Sequence, residues 1–499
     1  AMILGGVAQD RIQFNHKTLW KGTSKPTDLG SYLPFGDIYI TNLNAKNATN
    51  YRRCLNLRTA VADVQYDADG ECYTREYLCS NPDKVIAIRY KAKHARNLSL
   101  SINLINAQGL RATYTTKGAT FSGTLTNGMV YAATMRVCHK AGRVTATSEG
   151  IEIDRAKEVV IFLACTTNFD PTQANHLAGN VPQIMANSTV QAASNKGFER
   201  VMSRHIYDHA QLFNRVNFTL QGAEHTQPTN LLLTANTNGA NNMLDQLIFQ
   251  YGRYLTIAAS RGIDVPSNLQ GLWNKDGYRG GDAVWASDIH SNINVQMNYW
   301  PSEPTNLSEC HMPFLNFICN EALRHGGQWQ KNARQLGVEA GWVVNTAGNI
   351  FGGSSNYKIG KYSVVNAWYC SHLWQHFAYT CDTTFLRQKA MPVMKAACGF
   401  CVKRLVEAQN GDGTLECPNE YSPEQGYVQN ATAHSQQLVT QLFEQTLKAI
   451  EVLGHEASGC DNAYVDLLKS KLNKLDKGLR IDQNGLLREW KYQDNTPNL

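Results

Sequence analysis

The chain has 499 residues, of which 43% are hydrophobic and 18% charged, and that length exceeds one ordinary core and implies two or three domains at about 150 residues each. Its net charge of +6 is scattered, with no long block of consecutive Lys or Arg, so no nucleic-acid partner is expected. The longest apolar run, Val159–Cys165, is too short to cross a bilayer, so no membrane insertion is expected.

The first 220 or so residues read as strands: Asp37–Ile40, Lys84–Tyr90, Asn97–Leu104 and Glu158–Ala164 alternate or run apolar, and turns such as Asp67-Ala-Asp-Gly70 punctuate them. Residues 1–222 are therefore expected to form an antiparallel β-sandwich. A polar Asn/Thr/Gly-rich stretch, 223–242, reads as a linker. Beyond it the period changes from two to 3.6: Met243, Leu247, Ile248, Tyr251, Tyr254, Leu255 and Ala258 form one helical stripe, closed by Gly262. Similar stripes follow at about 308–325, 363–380, 384–408, 434–453 and 461–477. The fold class is α+β multidomain, with helical hairpins packed as an α/α toroid, a bundle or a solenoid over 243–499.

Thirteen cysteines, an odd number without paired metal-ligand spacing, point to buried thiols rather than a disulfide framework or zinc site. Cys398 and Cys401 have redox-motif spacing but fall inside the helical pattern Phe385–Glu407, where core thiols are expected. The opening residues Ala1–Val7 lack the charged region and cleavage site of a signal peptide, and the true N-terminus is expected to lie upstream.

The densest polar-aromatic segment is Asn268-Leu-Gln-Gly-Leu-Trp-Asn274, followed by Trp285-Ala-Ser-Asp-Ile-His-Ser-Asn-Ile-Asn-Val-Gln-Met-Asn-Tyr-Trp-Pro301. Amide and imidazole groups give directional hydrogen bonds to hydroxyls, and Trp faces cover the apolar faces of a pyranose, so this mixture suits a sugar as well as it suits a structural polar cluster. The segment resembles glycoside hydrolase family 95, whose members carry His-x-Asn-x-Asn-x-Gln-Met-Asn-Tyr-Trp-Pro. Other landmarks agree in order: Gly5–Asn15, Thr18-Leu-Trp20, Tyr73–Tyr77, Ser80–Asp83, Thr305–His311, His372-Leu-Trp374 and Ser422-Pro-Glu424.

The resemblance implies a β-supersandwich, a helical linker and an (α/α)6 toroid that is incomplete in this chain. It implies an inverting exo-glycosidase that releases terminal α-linked L-fucose, with α-1,2 linkage foremost, from fucosylated oligosaccharides. An α-L-galactosidase of the same family and a non-catalytic carbohydrate-binding relative are the alternatives. Carried over by residue, the general acid falls on Glu424, the water-holding asparagines on Asn292 and Asn294, and a sugar contact on His290. Their i,i+2 spacing predicts a loop or a first helical turn at Asn292 and Asn294. Trp368 and His372 share one predicted helix face, facing sugar or core, and Trp273 and Asn298 either touch sugar or pack the segment. Glu416 and Glu420 share a loop with Glu424 and read as solvated surface carboxylates.

In the family, the base is an aspartate in a further segment, expected outside this chain, and Asp482 reads as an ordinary loop carboxylate. No metal and no cofactor are implied. Gly341–Gly352 lacks the adjacent histidines seen in many members, which leaves L-fucose and L-galactose both open. The family also implies a bacterial glycan degrader, periplasmic or secreted.

Overall fold

The computed structural model describes residues 2–44, 47–94, 98–223, 227–236, 239, 241–273, 284–355 and 361–493. Two antiparallel sheets face each other in the N-terminal part. One runs, in spatial order, Met2–Gly5, Gln9–Phe14, Gly36–Asn42, Leu98–Asn106, Ile151–Ala156, Arg143–Ala146. The other runs Thr113–Thr115, Gly118–Thr124, Val130–Lys140, Glu158–Thr167, Val85–Ala92, Glu71–Ser80, Val61–Ala68, Thr49–Asn56. All four strands read from the sequence are present, although Asn97 lies outside the described residues. Alternation sets the faces: Gly36–Asn42 buries every second residue and exposes the others in part.

The strands of the sandwich end at Thr167, and here the expectation of strands to residue 220 is corrected. Residues 182–213 are two helices, α1 (Pro182–Lys196) and α2 (Phe198–Phe213). In α2 the buried residues Phe198, Val201, His205, His209 and Leu212 recur every three or four positions. Together with Ala186, Val190 and Ala193 of α1, Phe198 and Val201 cover Leu78, Val85, Ala87 and Phe162 of the eight-stranded sheet.

The stretch 223–242 is not wholly a linker, because α3 (Thr229–Ala235) lies within it. Then come α4 (Asn242–Ala259), α5 (Asn294–Tyr299), α6 (Ser308–Ala322), α7 (Gln328–Gln335) and α8 (Val365–Thr380). A broken helix follows, with α9 (Thr383–Phe385), a π-helical turn Leu386–Ala390 and α10 (Met391–Arg404), before α11 (Ala433–Ser458) and α12 (Asn462–Lys474). The predicted stripe on α4 is not its buried face. Ile248 and Tyr251 are exposed, and the helix packs through Leu244, Arg253 and Ile257. Arg253 decides this orientation by donating to the carbonyls of Leu212 at 3.0 Å and Phe213 at 2.7 Å, which close the end of α2.

One apolar core runs through both halves, from Ile12 to Leu475. Cys398 and Cys401 are buried in it as free thiols on α10, as the sequence suggested. No helix among the described residues is long and apolar enough to cross a membrane.

Candidate active site

Four polar residues of the sugar-like segment are arranged by an extended run and a turn. The alternate amides of Ile289 and Ser291 donate to Gly348 O at 2.8 Å and Thr346 O at 2.7 Å, the pattern of a strand edge. Side chains on such a run alternate. Ile289 and Ser291 turn into the core, where Ser291 Oγ meets the Tyr369 hydroxyl at 2.6 Å. Asp288, His290 and Asn292 therefore share the other side. Asn294 is the first residue of α5, so the two asparagines straddle a loop-to-helix join, as their spacing predicted.

Glu424 reaches this row from a distant part of the chain. It lies at the turn of the hairpin Glu420–Ser422 and Gln425–Gln429, where it is solvent-exposed. Asn292, only 6% exposed, donates through Nδ2 to Glu424 Oε1 at 3.4 Å. Asp288 Oδ2 lies 3.2 Å from His290 Nδ1. The sandwich closes on the same loops: Asn349 Nδ2 donates to Thr23 O at 2.8 Å and Leu29 O at 2.9 Å, and the Tyr32 hydroxyl donates to Leu272 O at 3.1 Å.

The expectation that Glu416 and Glu420 are solvated is overturned. Both are buried, Glu416 ahead of the hairpin and Glu420 at its first residue. Glu416 faces Lys491 Nζ at 2.9 Å and the Tyr492 hydroxyl. Glu420 accepts from Ser363 N at 2.9 Å and from Ser363 Oγ, just ahead of α8, and so anchors the strand that leads to Glu424. Burial pushes the Glu420 carboxyl up from 4.5 to about 7, against the opposing pull of the Ser363 hydrogen bonds.

A carboxyl raised in the folded state favours folding at low pH and costs stability as pH rises from 4.5 to 7, by on the order of 3 kcal/mol. Glu420→Gln is accordingly expected to remove most of the stability loss between those pH values in urea titrations. An unchanged pH profile would refute that placement of the carboxyl's titration.

Trp368 is half-buried on α8, and its ring stands edge-on to His434 at 5.2 Å. His434 stacks on Tyr362, whose hydroxyl lies 2.6 Å from His434 Nε2. Burial lowers His434 to about 4, so it is neutral near pH 7. Neither Tyr362 nor His434 was singled out from the sequence, where each stands alone without a motif.

His372 makes its contact inside the core: it is 1% exposed, with Nδ1 3.0 Å from His311 Nε2. His311 Nδ1 and His376 Nδ1 lie 2.9 and 2.7 Å from Glu303 Oε1, and Ser308 Oγ donates to Oε2 at 2.5 Å. Desolvation would raise Glu303, but these hydrogen bonds outweigh it and hold the carboxyl down at about 2. Among the described residues, Glu303, His311 and His376 are also the set whose ligand atoms lie close enough together for a metal, within 4.8 Å. Their mutual hydrogen bonds already satisfy them and tie α6 to α8.

Trp273 is half-buried, and Asn298 is exposed on α5 one turn past Asn294. Asp482 caps its own loop, accepting from Asn484 N at 2.8 Å and Leu486 N at 2.9 Å, as a loop carboxylate should.

A solved structure provisionally named kojibiose phosphorylase, from human microbiome, superposes with a TM-score of 0.63 at 12% identity, covering 97% of this chain and 68% of its own. Sandwich and helices together thus place the chain in the β-sandwich plus α/α-toroid class of proteins. The chain belongs to glycosyl hydrolase family 95: the family's catalytic-domain model matches residues 197–498. The N-terminal domain model of glycosyl hydrolase family 65 matches residues 23–172.

Among curated relatives, a probable alpha-fucosidase A of Aspergillus niger is 30% identical over 94% of this chain and 61% of its own. Alpha-L-fucosidase 2 of Arabidopsis thaliana is 26% identical over all of this chain and 67% of its own. The chain thus spans about three fifths to two thirds of the length of these relatives.

Proposed function

We propose that this protein is an inverting exo-glycoside hydrolase that releases terminal α-linked L-fucose, with Glu424 as general acid and Asn292 and Asn294 holding the attacking water. The observation that carries the reading is the Asn292–Glu424 contact, which brings together the two residue types the reaction needs from segments 132 positions apart. In inversion, an acid protonates the leaving oxygen while water attacks from the opposite face of the ring. Amide carbonyls can orient that water but cannot take its proton, so a carboxylate must act as base.

Fucosidase relatives and family membership support the choice of sugar. The α-1,2 linkage, and export to the periplasm or beyond, belong to the same proposal. Because the base aspartate is expected in a segment outside these 499 residues, proton NMR of a 2-linked fucosyl oligosaccharide during turnover by the full-length protein tests it. The β-anomer of fucose should appear first, whereas α-fucose, a sugar phosphate or no product overturns the reading. An L-galactoside run alongside decides the sugar.

Asn292→Ala and Asn294→Ala are each expected to lower kcat more than they raise KM, because orientation of the water is felt mainly in the transition state. A variant with wild-type kcat would remove that residue from the role.

A further inference from the structure

Asp288 has no part in the reading above, yet it sits in the same row as His290 and Asn292. It is 8% exposed, its Oδ2 lies 3.2 Å from His290 Nδ1, and its Oδ1 is buried without a partner among the described residues. The backbone that delivers it is strained and held from several sides. Trp285, Ala286 and Ser287 take φ of +50°, +58° and +45°, the left-handed region that L-residues occupy at about 1–2 kcal/mol each. Ser287 Oγ accepts from Gln270 N at 3.1 Å, and Asp288 O accepts from Leu269 N at 2.8 Å, so the Asn268–Trp273 segment fixes that conformation. Strain retained in this way marks a position whose geometry matters.

The His290 side chain is largely covered but keeps 15% of its surface exposed, and its Nε2 makes no hydrogen bond among the described residues. A carboxylate beside one ring nitrogen fixes the proton there and leaves the other nitrogen as an acceptor.

We propose that Asp288 is a positioning residue that holds His290 as the Nδ1–H tautomer, so that Nε2 is left as a lone-pair acceptor for a hydroxyl of the bound sugar. This rests on the proposed glycosidase reading for the identity of the ligand, but not for the tautomer. The site then demands a hydroxyl donor at that position, and a sugar lacking the hydroxyl leaves a buried-edge acceptor unpaired. Asn at position 288 can still accept from Nδ1–H, whereas Ala cannot.

The test is nitrogen-15 NMR of histidine-labelled protein, which distinguishes the two tautomers, combined with kinetics on fucosyl substrate. Wild type and Asp288→Asn should carry the proton on Nδ1, with KM within a few-fold of each other. Asp288→Ala should show a mixed or Nε2–H tautomer and a KM raised about tenfold with a smaller change in kcat, the effect of one oriented hydrogen bond. His290→Ala, which removes the acceptor, locates the loss at this residue if its KM matches that of Asp288→Ala. A wild-type Nε2–H tautomer, or an unchanged tautomer in Asp288→Ala, overturns the proposal. Absence of fucose release by the wild type would overturn the glycosidase reading alone, since the tautomer is read without turnover.

Discussion

Glu424→Gln is expected to cut hydrolysis of a 2-linked fucosyl oligosaccharide by about 10²–10⁴-fold, while an aryl fucoside with an acidic phenol loses far less. A sugar alkoxide is a strongly basic leaving group and cannot depart without a proton, whereas an acidic phenolate can. Glutamine keeps the length of the side chain and an oxygen to accept from Asn292 Nδ2, so the hairpin geometry survives and only the proton is lost. Because Glu424 is exposed, the substitution leaves no buried group unpaired and should not lower stability. Parallel kinetics on the two substrates, with a thermal melt as control, give the answer. Equal losses on both would mean that Glu424 acts in folding or binding and not as an acid.

That contact also shows where the sequence was legible. Strands such as Glu158–Thr167 announce themselves through β-branched and aromatic runs, and α8, α11 and α12 through long 3.6-residue stripes. Helix α7 does not, because Gln328, Trp329, Asn332 and Ala333 bury a face that is half polar. Nor does α4 reveal its buried side, since Arg253 and not the apolar stripe fixes its orientation. The row His290, Asn292 and Asn294 came from a motif, and the period-two pattern extends back to Asp288, where a reader following it would have found the carboxylate. Tyr362 and His434 could not be found in this way, because their pairing is made by two helices meeting at the start of α8 and α11. Glu416 and Glu420 misled for a related reason: a loop of polar residues looks solvated until its partner Lys491, 75 residues on from Glu416, is packed against it.

The sandwich offers the second large effect. Asp10, on the six-stranded sheet, accepts from Arg75 Nη1 at 2.6 Å and from the hydroxyls of Tyr77 and Tyr90, all three on the facing eight-stranded sheet. Arg75 also donates to Gly6 O at 2.6 Å and to the Tyr66 hydroxyl at 2.6 Å, and its guanidinium lies over the Tyr66 and Tyr90 rings. Asp10 is 0% and Arg75 1% exposed, so water cannot replace a lost partner.

Asp10→Ala leaves a buried guanidinium uncompensated and strands two tyrosine hydroxyls, which is expected to cost about 3–5 kcal/mol. Removing both charges, as in Asp10→Leu with Arg75→Met, should cost less than Asp10→Ala alone, because the desolvation penalty disappears with the pair. The sandwich holds the loops of the candidate site through Thr23 O and Leu29 O on Asn349, so under the proposed function the single variant should also lose activity at temperatures where the double variant keeps it. Urea unfolding of the first transition, with residual fucose release followed across the same range, measures both effects. If the double variant proved the less stable of the two, the ion pair would be contributing net attraction across the sheets rather than compensating for its own burial.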